Sequence, residues 1–383
     1  MIRKDNVKWW VLEAKKHPES APTIIEGLAQ RLVEMDAENE RLRNEVIRLQ
    51  RRAPPVGDTT SAGSAEMSAL QRKVDTLQTI LDSKTTTELS AVFFTTQSQL
   101  ARMPLSQART LDREGRPLPG GKSPGSINRV LLARPDAELL LLTSQGRGHK
   151  IPLSDVGLLV EGRDWPAAEG PKLASGEWLT AAVAVTKPPR FWTVVTRRGF
   201  VRQYLRVSFD RVLAQGDQVV ASPIRKDVPV SIVNGDDGDL LVLTRWGKGV
   251  RFSQRVIAGQ GSVALELEPD DEIVAALPLL ADAQILVVTA ASFAVRRDTA
   301  QFKARSKPGS AGKTLIQAFD VLNIFPREPK AHLLYLTYSG KLALVPMAEI
   351  PLHTRSRKGS RVRMFDRDPA VSVAFIPPQP GRR

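Results

Sequence analysis

Basic side chains are the strongest functional signal in the sequence. The 383 residues include 55 Lys and Arg against 41 Asp and Glu, which gives a formal net charge of +14. The excess lies C-terminal of residue 88, and residues 289–363 alone contain 14 basic and 4 acidic side chains. A local surplus of this size attracts polyanions and raises the rate at which they associate. The composition therefore predicts a polyanionic partner, with a merely solubilising surface as the alternative.

Few residues suit covalent catalysis or metal binding. The chain has no Cys, which excludes disulfides, thiol nucleophiles and cysteine-based metal sites. The four His residues lack ligand spacing and are interpreted as surface or packing residues: His17, His149, His332 and His353. Residues 309–314 end like a phosphate-binding loop, but the opening Gly is too close and no parallel α/β unit surrounds them. We therefore expect no metal and no cofactor.

The sequence has no apolar segment typical of export or membrane insertion. The N-terminus is not followed by the apolar stretch of a secretory signal. The most apolar window, residues 273–295, is interrupted by Pro278, Asp282 and Gln284 and divides into two short β-rich runs. We expect a cytoplasmic protein without a membrane partner.

A short heptad repeat near the N-terminus predicts a coiled coil. Its a and d positions between residues 28 and 49 are Leu28, Leu32, Met35, Asn39, Leu42, Val46 and Leu49. Leu at d with a single Asn at a is typical of a parallel two-stranded coil, because the paired amides satisfy each other only in that register. This pattern predicts a parallel homodimer. The alternative is an amphipathic helix packed on its own chain, since the repeat lasts only three heptads.

From residue 91 the spacing of apolar residues changes from that of a helix to that of a strand. One sequence motif, here called the phrase, occurs six times. Each copy is a run of apolar or β-branched residues ending in Thr, at Thr95, Thr143, Thr196, Thr244, Thr289 and Thr337. Three residues later stands a turn residue, at Ser98, Gly146, Gly199, Gly247, Ser292 and Gly340. Strand, Gly-containing turn and strand are typical of a tight hairpin. The Thr residues are 48, 53, 48, 45 and 48 positions apart, a period that predicts propeller-like blades.

One copy carries a family resemblance. Residues 241–251 (LVLTRWGKGVR), 259–264 (GQGSVA) and 267–274 (LEPDDEIV) resemble one blade of the C-terminal DNA-wrapping domain of the gyrase A subunit, which also occurs in the topoisomerase IV A subunit. Residues 193–202 and 334–346 repeat the first part of the phrase, and the resemblance covers residues 91–376. It implies a mainly β fold, a six-bladed, propeller-like β-pinwheel whose blades exchange strands and whose basic rim bends duplex DNA, here preceded by an α-helical coiled-coil region.

The resemblance has one departure that bears on function. The box Gln-Arg-Arg-Gly-Gly-Lys-Gly, which the family uses for chiral wrapping, has no intact copy in this chain. Residues 119–122, 307–313 and 355–361 are the nearest stretches, all basic and rich in Gly. The resemblance therefore implies DNA binding without implying a defined handedness.

The predicted organisation has five parts. They are N-terminal helices with the coiled coil at 1–52, a linker at 53–64, a second helix at 65–88, the six-bladed domain at 89–378 and a tail at 379–383. A DNA-breakage module and its Tyr would need several hundred further residues, so the chain is expected to be noncatalytic on its own. Tyr204, Tyr335 and Tyr338 lie inside the repeated phrases, where packing in the core or at the rim is the expected role.

The expected partner is double-stranded DNA, bound with low sequence specificity through phosphate contacts. A DNA partner implies that the protein is associated with the nucleoid. The candidate DNA-binding residues are Arg102, Lys122, Lys150, Arg202, Lys248, Arg251, Arg296, Lys303, Arg305, Lys307, Lys313, Arg355, Arg357, Lys358, Arg361 and Arg363. The alternative is a protein-binding scaffold or accessory subunit whose partner is a type IIA topoisomerase.

Overall fold

The computed structural model describes residues 88–119, 125–166, 170–353, 358–362 and 367–378, together with Ala37. All of these except Ala37 lie in one unit, Thr87–Arg383. This unit is mainly β, as predicted. Except for Ala37 and Glu88, the predicted coiled coil, linker and second helix lie outside the described residues, as do Lys122, Arg355, Arg357 and Arg363. No helix in the described part is long and apolar enough to cross a membrane.

One plan of three antiparallel strands occurs six times in the described residues. The first strands, each central in its sheet, are Ser90–Thr95 (β1), Glu138–Thr143 (β4), Phe191–Thr196 (β7), Asp239–Thr244 (β10), Gln284–Thr289 (β15) and His332–Thr337 (β20). The second strands are Leu100–Pro104 (β2), Gly148–Pro152 (β5), Phe200–Leu205 (β8), Lys248–Ser253 (β11), Phe293–Asp298 (β16) and Leu342–Pro346 (β21). The third strands are Ile127–Ala133 (β3), Leu179–Val185 (β6), Pro229–Asn234 (β9), Ile273–Leu279 (β14), Val321–Pro326 (β19) and Ala370–Ile376 (β23). We number these sheets 1 to 6 in chain order.

The Thr that ends each first strand holds the turn that follows it. All six are buried, and each hydroxyl accepts a hydrogen bond from the backbone N–H four residues later, at 3.0–3.2 Å. The residue three positions after each Thr has a φ between 63° and 88°. Gly adopts such values without the steric cost that other residues meet. The predicted tight hairpins are therefore confirmed, and the repeated Thr is explained by its hydrogen bond.

The chain between the second and third strands of each sheet, here called the crossing segment, leaves its own sheet and follows the edge of the preceding one. Crossing segment 4 contains Ser262–Val263 (β12) and Leu265–Glu266 (β13), segment 5 contains Ser310–Ala311 (β17) and Lys313–Thr314 (β18), and segment 6 contains Ser360–Arg361 (β22). β12 pairs with β8 of sheet 3, β18 with β11 of sheet 4 and β22 with β16 of sheet 5. Neighbouring sheets thus exchange strands.

The other crossing segments follow the same route. In segment 3 the amide of Val219 donates to the carbonyl of Gly146 in sheet 2, at 2.9 Å. In segment 1 the amide of Leu118 donates to the carbonyl of Gly340 in sheet 6, at 2.8 Å. Segment 1 therefore joins the first sheet to the last, and the exchange closes into a ring.

The apolar core is distributed between the sheets. Six clusters of buried side chains are found in the described residues, each built mainly from two neighbouring sheets. One of them joins sheet 1 to sheet 6 and includes Phe93, Leu334 and Leu336. The third strands contact one another in order around the centre, and β23 returns to β3. No sheet buries its faces alone, so each depends on its neighbours.

Two α-helices in the crossing segments were not predicted from sequence. Leu105–Glu114 (α1) packs its buried residues, including Ala108 and Leu111, towards β21 of sheet 6. Arg206–Ala214 (α2) buries Phe209, and Leu213 near its end lies against Gly148 at the edge of sheet 2. Apolar faces on these helices cover two sheet edges that would otherwise expose unpaired backbone groups.

Candidate nucleic-acid interface

The outer perimeter of the ring is formed by the second strands and the crossing segments, and we call this surface the rim. Third strands occupy the inner side of each sheet, because they contact one another around the centre. In sheet 4 the order from the outside inwards is β18, β11, β10 and β14. The crossing segments are therefore the outermost backbone of the rim.

The basic residue that recurs seven positions after the repeated Thr occupies one structural position. Arg102, Lys150, Arg251 and Arg296 each pair with the equivalent residue of the first strand. The carbonyls of three of them accept backbone hydrogen bonds from crossing segments, from Leu159, Arg305 and His353 at 2.7–2.8 Å. This position is where a crossing segment docks on the preceding sheet.

The Arg251 side chain is held by carboxylates. Its guanidinium contacts Asp239 at 2.7 Å and also Asp282, and only 10% of the side chain is exposed. Burial acts to lower its pKa, but hydrogen bonds to the two carboxylates outweigh burial and raise it. The charge of Arg251 is therefore compensated within the protein.

The other cations at this position are also engaged or partly buried. The Arg102 Nε donates to the carbonyl of Val156 at 2.9 Å, and burial lowers the Arg102 pKa. The Lys150 Nζ lies 3.1 Å from Asp210. Burial, with the nearby charge of Arg327, lowers the pKa of Arg296. These contacts give the recurrent cations a structural role between sheets.

Two further candidate DNA-binding residues on the second strands also make contacts within the protein. The Arg202 Nε donates to the carbonyl of Gly259 at 3.1 Å, and its guanidinium lies 5.1 Å from the centre of the Tyr204 ring. Lys248 forms an ion pair with Glu268. Both side chains are half-buried.

The cations of crossing segment 5 differ from these. Lys303, Arg305, Lys307 and Lys313 are exposed, and within the described residues no carboxylate forms an ion pair with them. Their backbone is anchored nonetheless. The Arg305 amide donates to the carbonyl of Arg251 at 2.7 Å, and β18 pairs with β11. The segment therefore presents four uncompensated charges from a fixed main chain.

Crossing segment 6 adds two exposed cations on sheet 5. Arg361 pairs in register with Phe293, and the Lys358 Nζ lies 4.4 Å from the centre of the same ring. Gly359 has a φ of 93°, and a Cβ there would lie 2.5 Å from the carbonyl oxygen of Ala294. Only Gly lets this strand approach the sheet so closely.

The sequence reasoning missed a basic group at the hairpin turn of sheet 3. Arg197 and Arg198 follow the repeated Thr directly, and Arg225 and Lys226 in crossing segment 3 are also exposed. The missed signal was the Arg-Arg pair in the turn. Arg197 lies 3.6 Å from Glu272, so part of this charge is compensated.

The packing role expected for the tyrosines fits two of the three. Tyr335 is fully buried between sheets, and burial raises the pKa of its hydroxyl. Tyr204 is half-buried and makes an edge contact with Phe209 at 5.7 Å between ring centres. Tyr338 is 73% exposed at the hairpin turn of sheet 6. No group of three or more potential metal ligands occurs in the described part of the chain.

Comparison with known proteins gives one curated relative. No protein-family model matches the chain. The chain is 24% identical over 311 residues to the A subunit of DNA gyrase from Haloquadratum walsbyi (strain DSM 16790 / HBSQ001), an alignment that covers 76% of this chain and 36% of that protein. This chain therefore spans only about a third of the length of that relative.

Two solved structures share the fold. The gyrase A C-terminal domain matches with a TM-score of 0.64 and 17% identity, covering 76% of this chain and 100% of that chain. The C-terminal domain of DNA topoisomerase IV matches with a TM-score of 0.53 and 16% identity, covering 76% of this chain and 94% of that chain. The described unit is thus a mainly β ring of sheets that exchange strands. Its fold is that of the gyrase A C-terminal domain, as the sequence resemblance implied.

Proposed function

We propose that this protein is a noncatalytic DNA-binding protein that binds and bends duplex DNA on the rim of a six-bladed β-pinwheel. The observation that supports this most is crossing segment 5. Its exposed Lys303, Arg305, Lys307 and Lys313 belong to a segment whose backbone is hydrogen bonded to sheet 4 at Arg305 and along β18. Cations held in this way can neutralise successive phosphates without first ordering a loop.

The contact with DNA is proposed to follow only part of the rim. Short strands of crossing segments 4, 5 and 6 cover the edges of sheets 3, 4 and 5. Helices α1 and α2 lie at the edges of sheets 6 and 2. The exposed cations of segments 5 and 6 lie on sheets 4 and 5, so the DNA path is proposed to run over the arc from sheet 3 to sheet 5.

Phosphate contacts must offset the cost of bending. Bending a site of 20–30 base pairs by 40–90° costs about 1–6 kcal/mol in smooth elastic estimates. Release of condensed counterions supplies affinity, with a slope of log affinity against log salt of about −0.9 for each phosphate neutralised. Such contacts carry no base information, so low sequence specificity is expected.

The N-terminal part of the chain is proposed to raise the affinity by dimerisation. The heptad residues at 28–49 support a parallel homodimer, with residues 53–64 as a linker to the DNA-binding domain. Two domains on one dimer would bind one DNA with avidity or bridge two segments. Sedimentation of the full chain at micromolar concentration tests the dimer, and a monomer there would exclude it.

The rim proposal is tested with two matched pairs of substitutions. Lys303→Gln with Lys307→Gln removes two exposed charges from segment 5, and Lys187→Gln with Lys330→Gln removes two exposed charges between sheets. Duplex binding is measured by fluorescence anisotropy across ionic strength. We expect the first pair to reduce the magnitude of the salt slope by about 2 and the second pair to leave it nearly unchanged. Equal effects of the two pairs would refute the proposed arc.

A second candidate function is that of a protein-binding accessory subunit, which two exposed aromatic side chains favour. Phe319 is 74% exposed and packs edge-on against Trp246, and Tyr338 is 73% exposed. Aromatic residues of this kind are enriched in protein interfaces. Capture of a protein partner that survives nuclease treatment and is lost with Phe319→Ser and Tyr338→Ser would favour this function. Loss of all capture after nuclease treatment would favour DNA binding.

A further inference from the structure

The centre of the ring contains a cavity of about 440 Å³ lined by the third strands. Its lining includes one charged side chain, Arg129, and no carboxylate. The polar side chains there are Asn128, Ser231, Asn323 and Ser372. The volume falls within the range of about 300–1,000 Å³ that small-molecule sites occupy.

Four of these side chains occupy one equivalent position on different strands. Arg129, Ser231, Asn323 and Ser372 each pair with the first-strand residue that immediately precedes the repeated Thr. In the remaining two sheets the same register position holds Ala181 and Ala275, which carry no polar side-chain group. The register therefore brings a guanidinium, an amide and two hydroxyls to one level of the cavity.

Two of the acceptor atoms in this set already accept a hydrogen bond from the protein. The Ser372 Oγ accepts a hydrogen bond from the amide of Val130 at 3.1 Å. The Asn323 Oδ1 accepts one from the amide of Ile324 at 2.8 Å. A Ser hydroxyl and an Asn NH₂ group then keep their O–H and N–H donors, and Arg has donors only. The set is thus suited to a ligand that accepts hydrogen bonds.

The charge of Arg129 is not compensated by the protein. One guanidinium nitrogen donates to the carbonyl of Thr180 at 2.5 Å, and no carboxylate among the described residues forms an ion pair with it. Burial lowers the Arg129 pKa to about 10, which leaves the group protonated at neutral pH. A partly buried cation without a counter-charge attracts an anion.

We propose that the central cavity binds one small oxyanion, a phosphate or a carboxylate, on the guanidinium of Arg129. Planar guanidinium groups bind such oxygens through two parallel hydrogen bonds. The Ser231, Asn323 and Ser372 side chains donate to the remaining oxygens. This site is separate from the rim, so an anion there does not compete directly with DNA.

The test is a calorimetric titration of the full chain with inorganic phosphate at constant ionic strength. Wild type is expected to bind one phosphate per chain in a saturable manner. Arg129→Met should weaken this binding by about tenfold or more, the size expected for loss of a charge-assisted hydrogen bond. Lys187→Met removes an exposed charge outside the proposed DNA arc and should leave phosphate affinity unchanged.

Two further variants separate binding from folding. Ser231→Ala removes one donor without removing charge, and it should weaken phosphate binding severalfold while the circular dichroism spectrum stays that of wild type. Arg129→Lys should retain part of the affinity, because the charge remains and the paired geometry is lost. Absence of saturable binding by wild type, or equal affinity of wild type and both Arg129→Met and Ser231→Ala, would overturn the proposal.

Discussion

At the scale of single residues, the structure separates cations that hold the fold from cations that face solvent. Arg251 belongs to the first group, with Asp239 and Asp282 around its guanidinium. Lys307 and Lys313 belong to the second, since both are exposed. Exposed, widely spaced charges add little to stability but contribute directly to binding of a polyanion. Residue type alone does not distinguish the two groups.

Substitution of the repeated Thr tests whether its hydroxyl stabilises the hairpin turn that follows it. Thr244 is fully buried, and its hydroxyl accepts from the amide of Lys248 at 3.2 Å. Thr244→Val keeps the shape and removes the acceptor, so it should lower the free energy of unfolding by about 1–3 kcal/mol. Urea denaturation measures the change. Thr314→Val, at an exposed position, serves as the control and should be nearly neutral.

The lowered pKa of the Glu177 carboxyl predicts that the folded protein loses stability in acid. The carboxylate accepts hydrogen bonds from the Thr143 hydroxyl and, at 2.9 Å, from the Ala174 amide. Burial acts to raise its pKa, but these bonds and the charge of Arg147 outweigh burial and lower it. A folded-state pKa below the unfolded value stabilises the protein above the ordinary pKa of 4.5, and that stability is lost as the pH falls through the lowered value.

The Glu177 prediction is checked by thermal unfolding of wild type and Glu177→Gln between neutral and acid pH. The variant should be less stable at pH 7, and the difference should shrink as the pH falls below the ordinary carboxyl pKa. Asp136→Asn, at an exposed position, is the control and should lower stability at pH 7 less than Glu177→Gln does. A difference that stays constant down to the acid limit would contradict the role assigned to the carboxylate.

At the scale of elements, the crossing segments decide what the rim exposes. Segments 4, 5 and 6 place short strands against the neighbouring sheets, whereas α1 and α2 lie at two other edges. A strand lies flat on a sheet edge and leaves its side chains accessible, while a helix adds bulk. The proposed arc for DNA follows from this difference.

Two glycines in segment 4 make a matched test of strand exchange. Gly261 has a φ of 97°, and a Cβ there would lie 2.1 Å from the Phe200 ring. Gly259 has no atom within 4 Å of such a Cβ. Gly261→Ala should therefore detach β12 from β8, and hydrogen exchange at the Ala264 amide should rise strongly. Gly259→Ala should leave that amide protected, and equal exchange in both variants would argue against the close packing.

At the scale of the whole molecule, ring closure makes the first and last sheets depend on each other. Phe93 of sheet 1 is fully buried in a cluster that also contains Leu334 and Leu336 of sheet 6. Their side chains come from positions more than 240 residues apart in sequence. Such long-range contacts are expected to form late in folding, after the local hairpins.

Phe93→Ala tests this closure. A core Phe→Ala substitution costs about 3–5 kcal/mol, because it removes apolar burial and leaves a cavity. Protection from hydrogen exchange should fall in β1 and also in β20 of sheet 6, with much smaller changes in β7 and β10. Val195→Ala, in the cluster between sheets 3 and 4, is the control and should affect β7 and β10 instead. An effect of Phe93→Ala confined to sheet 1 would contradict a closed ring.

The local features of this protein could be read from its sequence. Alternating apolar runs, the repeated Thr and the turn residue with positive φ determine each hairpin, because they act within about ten residues of chain. The basic surplus is likewise a property of composition, and it predicted the cations of segments 5 and 6 that the structure exposes.

Tertiary structure alone decided which segment covers which edge and which charge is compensated. Strand exchange pairs Lys313 with Gly249 and Ser360 with Ala294, and such pairings between distant segments have no local signal. The same is true of Arg129, Asn323 and Ser372, which reach one level of the central cavity only because six separate sheets close into a ring. Hydrogen bonding within a turn is encoded by neighbours in sequence, whereas packing between sheets depends on the geometry of the whole ring.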